Sequence, residues 1–279
     1  MGYSIYVPQE KQRRSAMKVF MTCAVICFMV SLFALAGAEE INAAQVDTYL
    51  VPVRGDVEVK IDAELSEWDA HPRILVMGED TWEPLGGNWD GPDDLTARLK
   101  ILYDENNLYF ALQVTDDQYA PKGSGHPWED EGVQIAIDTS AGKIAPGWPN
   151  KTTYLYNFAV DDGWQKEAGP FMGDAIIEMK RDEATKQTLY EWQMPSDIVK
   201  AEEGGVKFKP GMEIAFAIIV NDSDKDAIGQ TGWVGWGNHT IVFGKNPEEM
   251  KTLVLGGEPM AVNPADKLAT SWGKIKKIR

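Results

Sequence analysis

The chain has 279 residues, a quarter of them charged, and a formal net charge of −16 at pH 7. That field repels phosphate backbones and anionic lipid, so nucleic acid is not an expected partner, whereas neutral ligands and divalent cations remain open. Its two cysteines, Cys23 and Cys27, both lie in one apolar block near the start, which leaves the rest without a thiol for catalysis or a disulfide for stapling.

That block, Val19 to Ala38, carries no charge. Lys11, Arg13, Arg14 and Lys18 precede it and Ala36-Gly37-Ala38 closes it, the layout of a secretory signal over residues 1–38. Met17-Lys18 would itself serve as a start. An uncleaved anchor is the alternative, since about 20 apolar residues span a bilayer. A secreted, periplasmic or cell-surface protein is therefore expected, on a membrane only if the segment is retained. Residues 1–38 hold those four cations and Glu10, so removing their +3 leaves about −19 on residues 39–279.

Beyond the signal the hydrophobic pattern repeats every two residues, as half-buried strands require. In chain order the expected strands are Asp56–Ile61, Thr96–Tyr103, Asn107–Thr115, Gly132–Asp138, Thr152–Val160, Asp174–Arg181, Gln187–Met194, Met212–Asn221 and Met250–Gly256. The polar tetrad Asp104-Glu105-Asn106-Asn107 marks a tight hairpin between the second and third. Only PSDIVKAEEG, from Pro195, reads as a helical turn or two. Many strands between Gly, Asp and Asn turns predict an all-β protein, an antiparallel β-sandwich over residues 39–262. A basic tail, 263–279, follows it. The segments Gly78–Asp93 and Ser140–Asn150, long and rich in Gly, Pro and Trp, read as functional loops or insertions.

Four stretches carry a resemblance. VEVKIDAELSEWDAHP, from Val57, resembles an opening signature I-D-G-x-L-D-E-W with Ala63 at the glycine. DDLTARLKILYDENNLYFALQVTDD, from Asp93, matches a first hairpin, and PWEDEGVQIAID matches W-x-x-D-x-V-E-I-F-I-D with Glu131 at the aspartate and Gln134 at the glutamate. IIVNDSDKDAIGQTGWVGW, from Ile218, matches a late Q-V-N-D-A-D strand and loop. Together they resemble the family 9 carbohydrate-binding modules and their DOMON-like relatives. The resemblance implies a non-catalytic β-sandwich that holds the end of a sugar chain between two aromatic rings, with calcium as a structural part and no organic cofactor.

Carried over residue by residue, the resemblance puts Trp128 on one clamp ring, where an exposed indole offers a rigid platform for the C–H face of a pyranose. Gln134 would be presented beside it on the polar face of its strand, with Val133, Ile135 and Ile137 on the core face. Tyr156 or Asn157 stands where the family has a ligand-binding arginine. Ile219 replaces a glutamine and Gly244 the second clamp tryptophan, leaving Phe243 or Trp233 to close the far side. The blander reading of each is a packing or solvated strand residue.

Asp222, Asp224 and Asp226, at alternate positions in NDSDKDAIG, are the expected calcium ligands, without the downstream Glu of an EF-hand. Asp116-Asp117 and Asp161-Asp162 are weaker candidates. Glu129, Asp130 and Glu131 do not make a glycosidase pair, because such acids must face each other about 5 to 9.5 Å apart across a cleft. A solvated rim is expected for them. His71, His126 and His239 show no zinc spacing. Two further readings stay open: a structural or adhesive domain without a small ligand, and a DOMON-like haem-binding electron-transfer protein using His126, His239 or Met172, Met194 and Met212. Asn150, Asn221 and Asn238 open N-glycosylation sequons.

Overall fold

The computed structural model describes residues 38–120, 131–138, 153–159, 163–168, 176–196, 207–224, 229–242 and 246–260, with 153–159 and 163–168 described as backbone only. The chain divides into compact units at Ala38/Glu39, and everything below concerns the second. Among the described residues no helix is long and apolar enough to cross a membrane.

Among the described residues fourteen strands share one curled sheet: β1 (Glu39–Asn42), β2 (Thr48–Val53), β3 (Arg73–Met77), β4 (Glu83–Pro84), β5 (Leu95–Tyr103), β6 (Asn107–Asp116), β7 (Gly132–Asp138), β8 (Thr153–Ala159), β9 (Gly163–Ala168), β10 (Ile176–Asp182), β11 (Gln187–Pro195), β12 (Glu213–Asp222), β13 (Gly232–Trp236) and β14 (Lys251–Pro259). The order is β10-β11-β6-β5-β2-β14-β12-β7-β8-β9, with β3 on β5, β1 on β3, β13 on β12 and β4 on β13. Strand β2 joins the two halves, which fold face to face into the expected sandwich. Pairing is mostly antiparallel, but β1 with β3 and β2 with both β14 and β5 run parallel. The expected all-β sandwich is therefore present, its sheet mixed at these three pairings.

Alternation decides what each half buries. Leu99 and Ile101 of β5, Leu108, Phe110 and Leu112 of β6, Tyr190 and Trp192 of β11, and Phe216 and Ile218 of β12 all enter one core with Val133, Ile135 and Ile137 of β7. Phe110 stacks on Trp192 of its own layer at 4.7 Å between centroids and on Phe216 of the other at 5.6 Å. Rings at that spacing lock the layers together beyond their area burial. The hairpin β5–β6 closes as expected: Asp104 Oδ1 accepts from the N–H groups of Asn106 and Asn107.

One expected strand is absent. Residues 57–60 make no ladder, although they alternate. Val57, Val59, Ile61 and Leu65 instead lie with Trp68 across the outer face of the β5–β6 pair, against Leu102, Tyr109 and Ala111. Half burial on top of a sheet imposes the same two-residue rhythm as membership of one. At the turn that follows, Ala63 has φ +57°, the left-handed region that glycine enters without cost. That is the position where the resembling signature carries glycine.

His71, 1% exposed, packs below this segment with Nε2 at 2.9 Å from the Ile101 carbonyl. Burial pushes its pKa down to about 4.

Candidate functional site

The ladder sets several of the expected ligand positions in one register. Gln134 pairs with Asn157 on one side and with Ile219 on the other, and Ile219 pairs with Gly235. Cross-strand partners share a face, so Asn157, Gln134, Ile219 and Gly235 form one row across β8, β7, β12 and β13. Tyr156 pairs with the core residue Ile135 instead. Of the two candidates on β8, Asn157 is the one in register with Gln134.

This row is not the open polar surface that alternation suggested. Gln134 is 3% exposed and donates from Nε2 to Asn221 Oδ1 at 3.0 Å. Trp233, expected at the open far side, is 1% exposed and packs with Ala136, Ala217, Ile219, Ile241 and Met250. The reason is volume: the alanines of β7 and β12 leave a hollow on this face that the indole fills. Gly235 contributes too, because a Cβ there would lie 2.4 Å from Asn238 Oδ1. Asn221, 1% exposed and bound to Gln134, is closed to glycosylation in the folded chain. Trp128, Phe243, Gly244, His126 and Met172 lie outside the described residues. Met194 is fully buried in the main core, a packing role.

The acids give the larger departure from expectation. Glu131, expected on a wet rim, is 4% exposed; Asp116 is 1% and Asp222 2% exposed. One oxygen from each lies within 4.8 Å of the others. Each acid continues an inward-facing series by one more step of two: Asp116 after Leu112 and Val114, Glu131 before Val133 and Ile135, Asp222 after Ile218 and Val220. The cluster thus closes one end of the core and draws on both layers. Asp224 is outside it, and Asp226, Asp161 and Asp162 lie beyond the described residues. Of the three expected ligands Asp222 alone joins this cluster, and Asp116 and Glu131 reach it from distant positions in the sequence.

Burial pushes all three carboxyls up, that of Asp222 to about 7, and neighbouring acids add to the rise at Glu131 and Asp222. Local donors occupy part of the set: Gln118 N–H on Asp116 Oδ1, Ser223 N–H on Glu131 Oε1 and the Thr231 hydroxyl on Asp222 Oδ2. Asp116 Oδ2 is buried without a hydrogen-bond partner among the described residues. Arg181 donates to the Asp116 backbone carbonyl, not to its carboxylate. Three enclosed carboxylates with an orphaned oxygen fit a hard divalent cation, which takes oxygen ligands at close range and supplies the missing charge.

Residues 76–258 match the family described as "Carbohydrate family 9 binding domain-like". Endo-1,4-beta-xylanase A of Thermotoga maritima is 23% identical over 196 residues, covering 70% of this chain and 17% of the xylanase. The enzyme of the same name from Thermoanaerobacterium saccharolyticum is 26% identical over 219 residues, again over 17% of its length. The chain therefore matches under a fifth of either relative. Two solved structures of a family 9 carbohydrate-binding module from Caldicellulosiruptor kristjanssonii, in complex with glucose and with cellotriose, superpose with TM-scores of 0.56 and 0.57 at 18% and 16% identity. Each covers 78% of this chain and all of the other.

Proposed function

The chain belongs to the family 9 carbohydrate-binding-like domains, and from that premise we propose that it is an exported, non-catalytic module that binds carbohydrate and is held together by calcium. The observation that carries the sugar reading is the family match over residues 76–258, joined to a fold shared with modules solved on sugars. Gln134, covered and bound to Asn221, backs this face from beneath. Two folds of this kind were solved with glucose and cellotriose, which makes a neutral glucan the first ligand to try. The xylanase likeness covers 17% of each enzyme, so their hydrolysis is not carried over.

Trp128 supplies the stacking ring in this proposal, with Phe243 on the far side. Replacing Trp128 by alanine should weaken retention on immobilised glucan at least tenfold while leaving the melting midpoint within a degree or two. A large fall in midpoint would place the ring in the core and end its assignment. Calcium sits in the proposal at Asp116, Glu131 and Asp222, where its charge lets all three acids stay ionised and ties β6 of one layer to β7 and β12 of the other. Export follows from the apolar block of residues 19–38 behind its basic flank.

A further inference from the structure

The loop of residues 78–93 pairs with β13 through β4, but its Trp89 faces the outer side of β5 and has no part in the reading above. This indole is pinned, Nε1 donating to the Leu95 carbonyl at 2.9 Å, with part of the ring against the core and part left exposed. It borders a groove of 590 Å³, within the range of small-ligand sites. The floor is the outer face of three paired strands, since Asn42 of β1 stands opposite Val76 of β3 and Val76 opposite Arg98 of β5. Pro92 and Thr96 continue the side of Trp89, and Glu79 and Asp80 stand at the rim.

We propose that this groove is a second saccharide subsite, taking a neutral sugar ring between Trp89 and the polar strand floor; it rests on the reading of the chain as carbohydrate-binding. Its polar groups come in pairs that fix one another: Arg98 binds Glu40, and Asn42 Nδ2 donates to Asp80 at 2.5 Å. Fixed pairs of this kind keep spare capacity, because a guanidinium carries five donors and a carboxylate about four acceptor sites. Hydroxyl groups, which donate and accept, suit such a mixed lining. An anion does not, because Glu40 already offsets Arg98 and Glu79 and Asp80 remain. A purely apolar ligand would strand the charged floor. Val76, Pro92 and the indole supply the apolar side that sugar C–H faces require. Placement on strands also gives the site the rigid backing that precise recognition needs.

The test is a cellotriose titration of the 15N-labelled protein, following the Trp89 indole N–H signal, assigned by its loss in Trp89→Phe. Saturable movement of that signal is expected in the native chain and equally in Trp128→Ala. Val76→Phe fills the floor from a half-exposed strand position, and should weaken the response at least tenfold with the melting midpoint retained. If cellotriose binds in a Trp128-dependent way while the Trp89 signal stays still, this subsite is refuted and the main reading stands. Movement at Trp89 that survives while Trp128→Ala changes no retention supports the groove and removes the Trp128 assignment. Movement undiminished in Val76→Phe places the sugar elsewhere and overturns the proposal.

Discussion

Adding calcium to chelator-treated protein at pH 7.5 is expected to raise the melting midpoint by roughly 8–16 °C at a thousandfold excess over the dissociation constant. Asp116, Glu131 and Asp222 are each almost fully enclosed at the end of the core. Without a cation their ionised forms are disfavoured, and the folded chain holds protons more tightly than the unfolded one. The stability this gives is complete below the ordinary carboxylate range and is lost as pH rises toward the folded value, about 7 for Asp222. A displacement of that size is worth about 4 kcal/mol for the one group.

His71 acts in the opposite sense. Its folded pKa of about 4 lies below the ordinary 6.5, so its contribution is present above 6.5 and is lost on acidification, by about 3 kcal/mol. The two trends overlap between pH 4 and 7 and obscure each other in a single curve. Calcium does not touch His71, however, so the difference between curves with calcium and with chelator isolates the cluster. That difference should be near zero at pH 4 and grow steadily to pH 8, because a bound cation must displace the protons. Asp116→Asn offers a second reading of the same chemistry: in chelator at pH 8 it should melt above the native protein, having lost one of three crowded charges, and it should gain little from calcium. Equal native midpoints with and without calcium at pH 7.5 would retire the cation site.

Most of the sheet was legible from a two-residue rhythm, but what each rhythm faced was not. The spacing of GVQIAID gave β7 to the residue and put Val133, Ile135 and Ile137 in the core correctly. It could not show that the opposite face would also be covered, because that depends on α1 (Asn238–Ile241) and Trp233 arriving from later in the chain. Short or weakly patterned strands such as β1, β4 and β9 left no signal strong enough to separate them from loops. The carboxylate cluster did leave one: Asp116, Glu131 and Asp222 each occupy the next inward position of an apolar series. A charge in register with a buried face is a different object from a charge in a turn, although local composition makes them look alike.

Glu191 obeys the same logic on the other side of the sheet, and its replacement by glutamine is expected to lower the melting midpoint by roughly 5–15 °C, equivalent to about 2–4 kcal/mol. It is fully buried on the outer face of β11, where Ala111 of β6 stands opposite and leaves room for the segment above. Oε1 accepts the Trp68 indole N–H at 2.8 Å; Oε2 accepts the N–H groups of Asp62 and Ala63 at 3.0 and 3.1 Å. The left-handed turn at Ala63 brings those two amides to one oxygen. Three donors require acceptors on both sides, and a glutamine has only one oxygen. Whichever way the amide turns, its NH2 meets at least one N–H head-on, and a buried donor is left unsatisfied. Glu191→Ala should cost more, since it orphans all three donors and opens a cavity beside Trp68. Because the clasp holds residues 57–68 against the sheet and not the sheet itself, hydrogen exchange should rise first at the Asp62 and Ala63 amides, before the β5–β6 ladder responds. A glutamine variant that melts with the native protein and keeps those two amides protected would show that the segment is held by the packing of Trp68 alone.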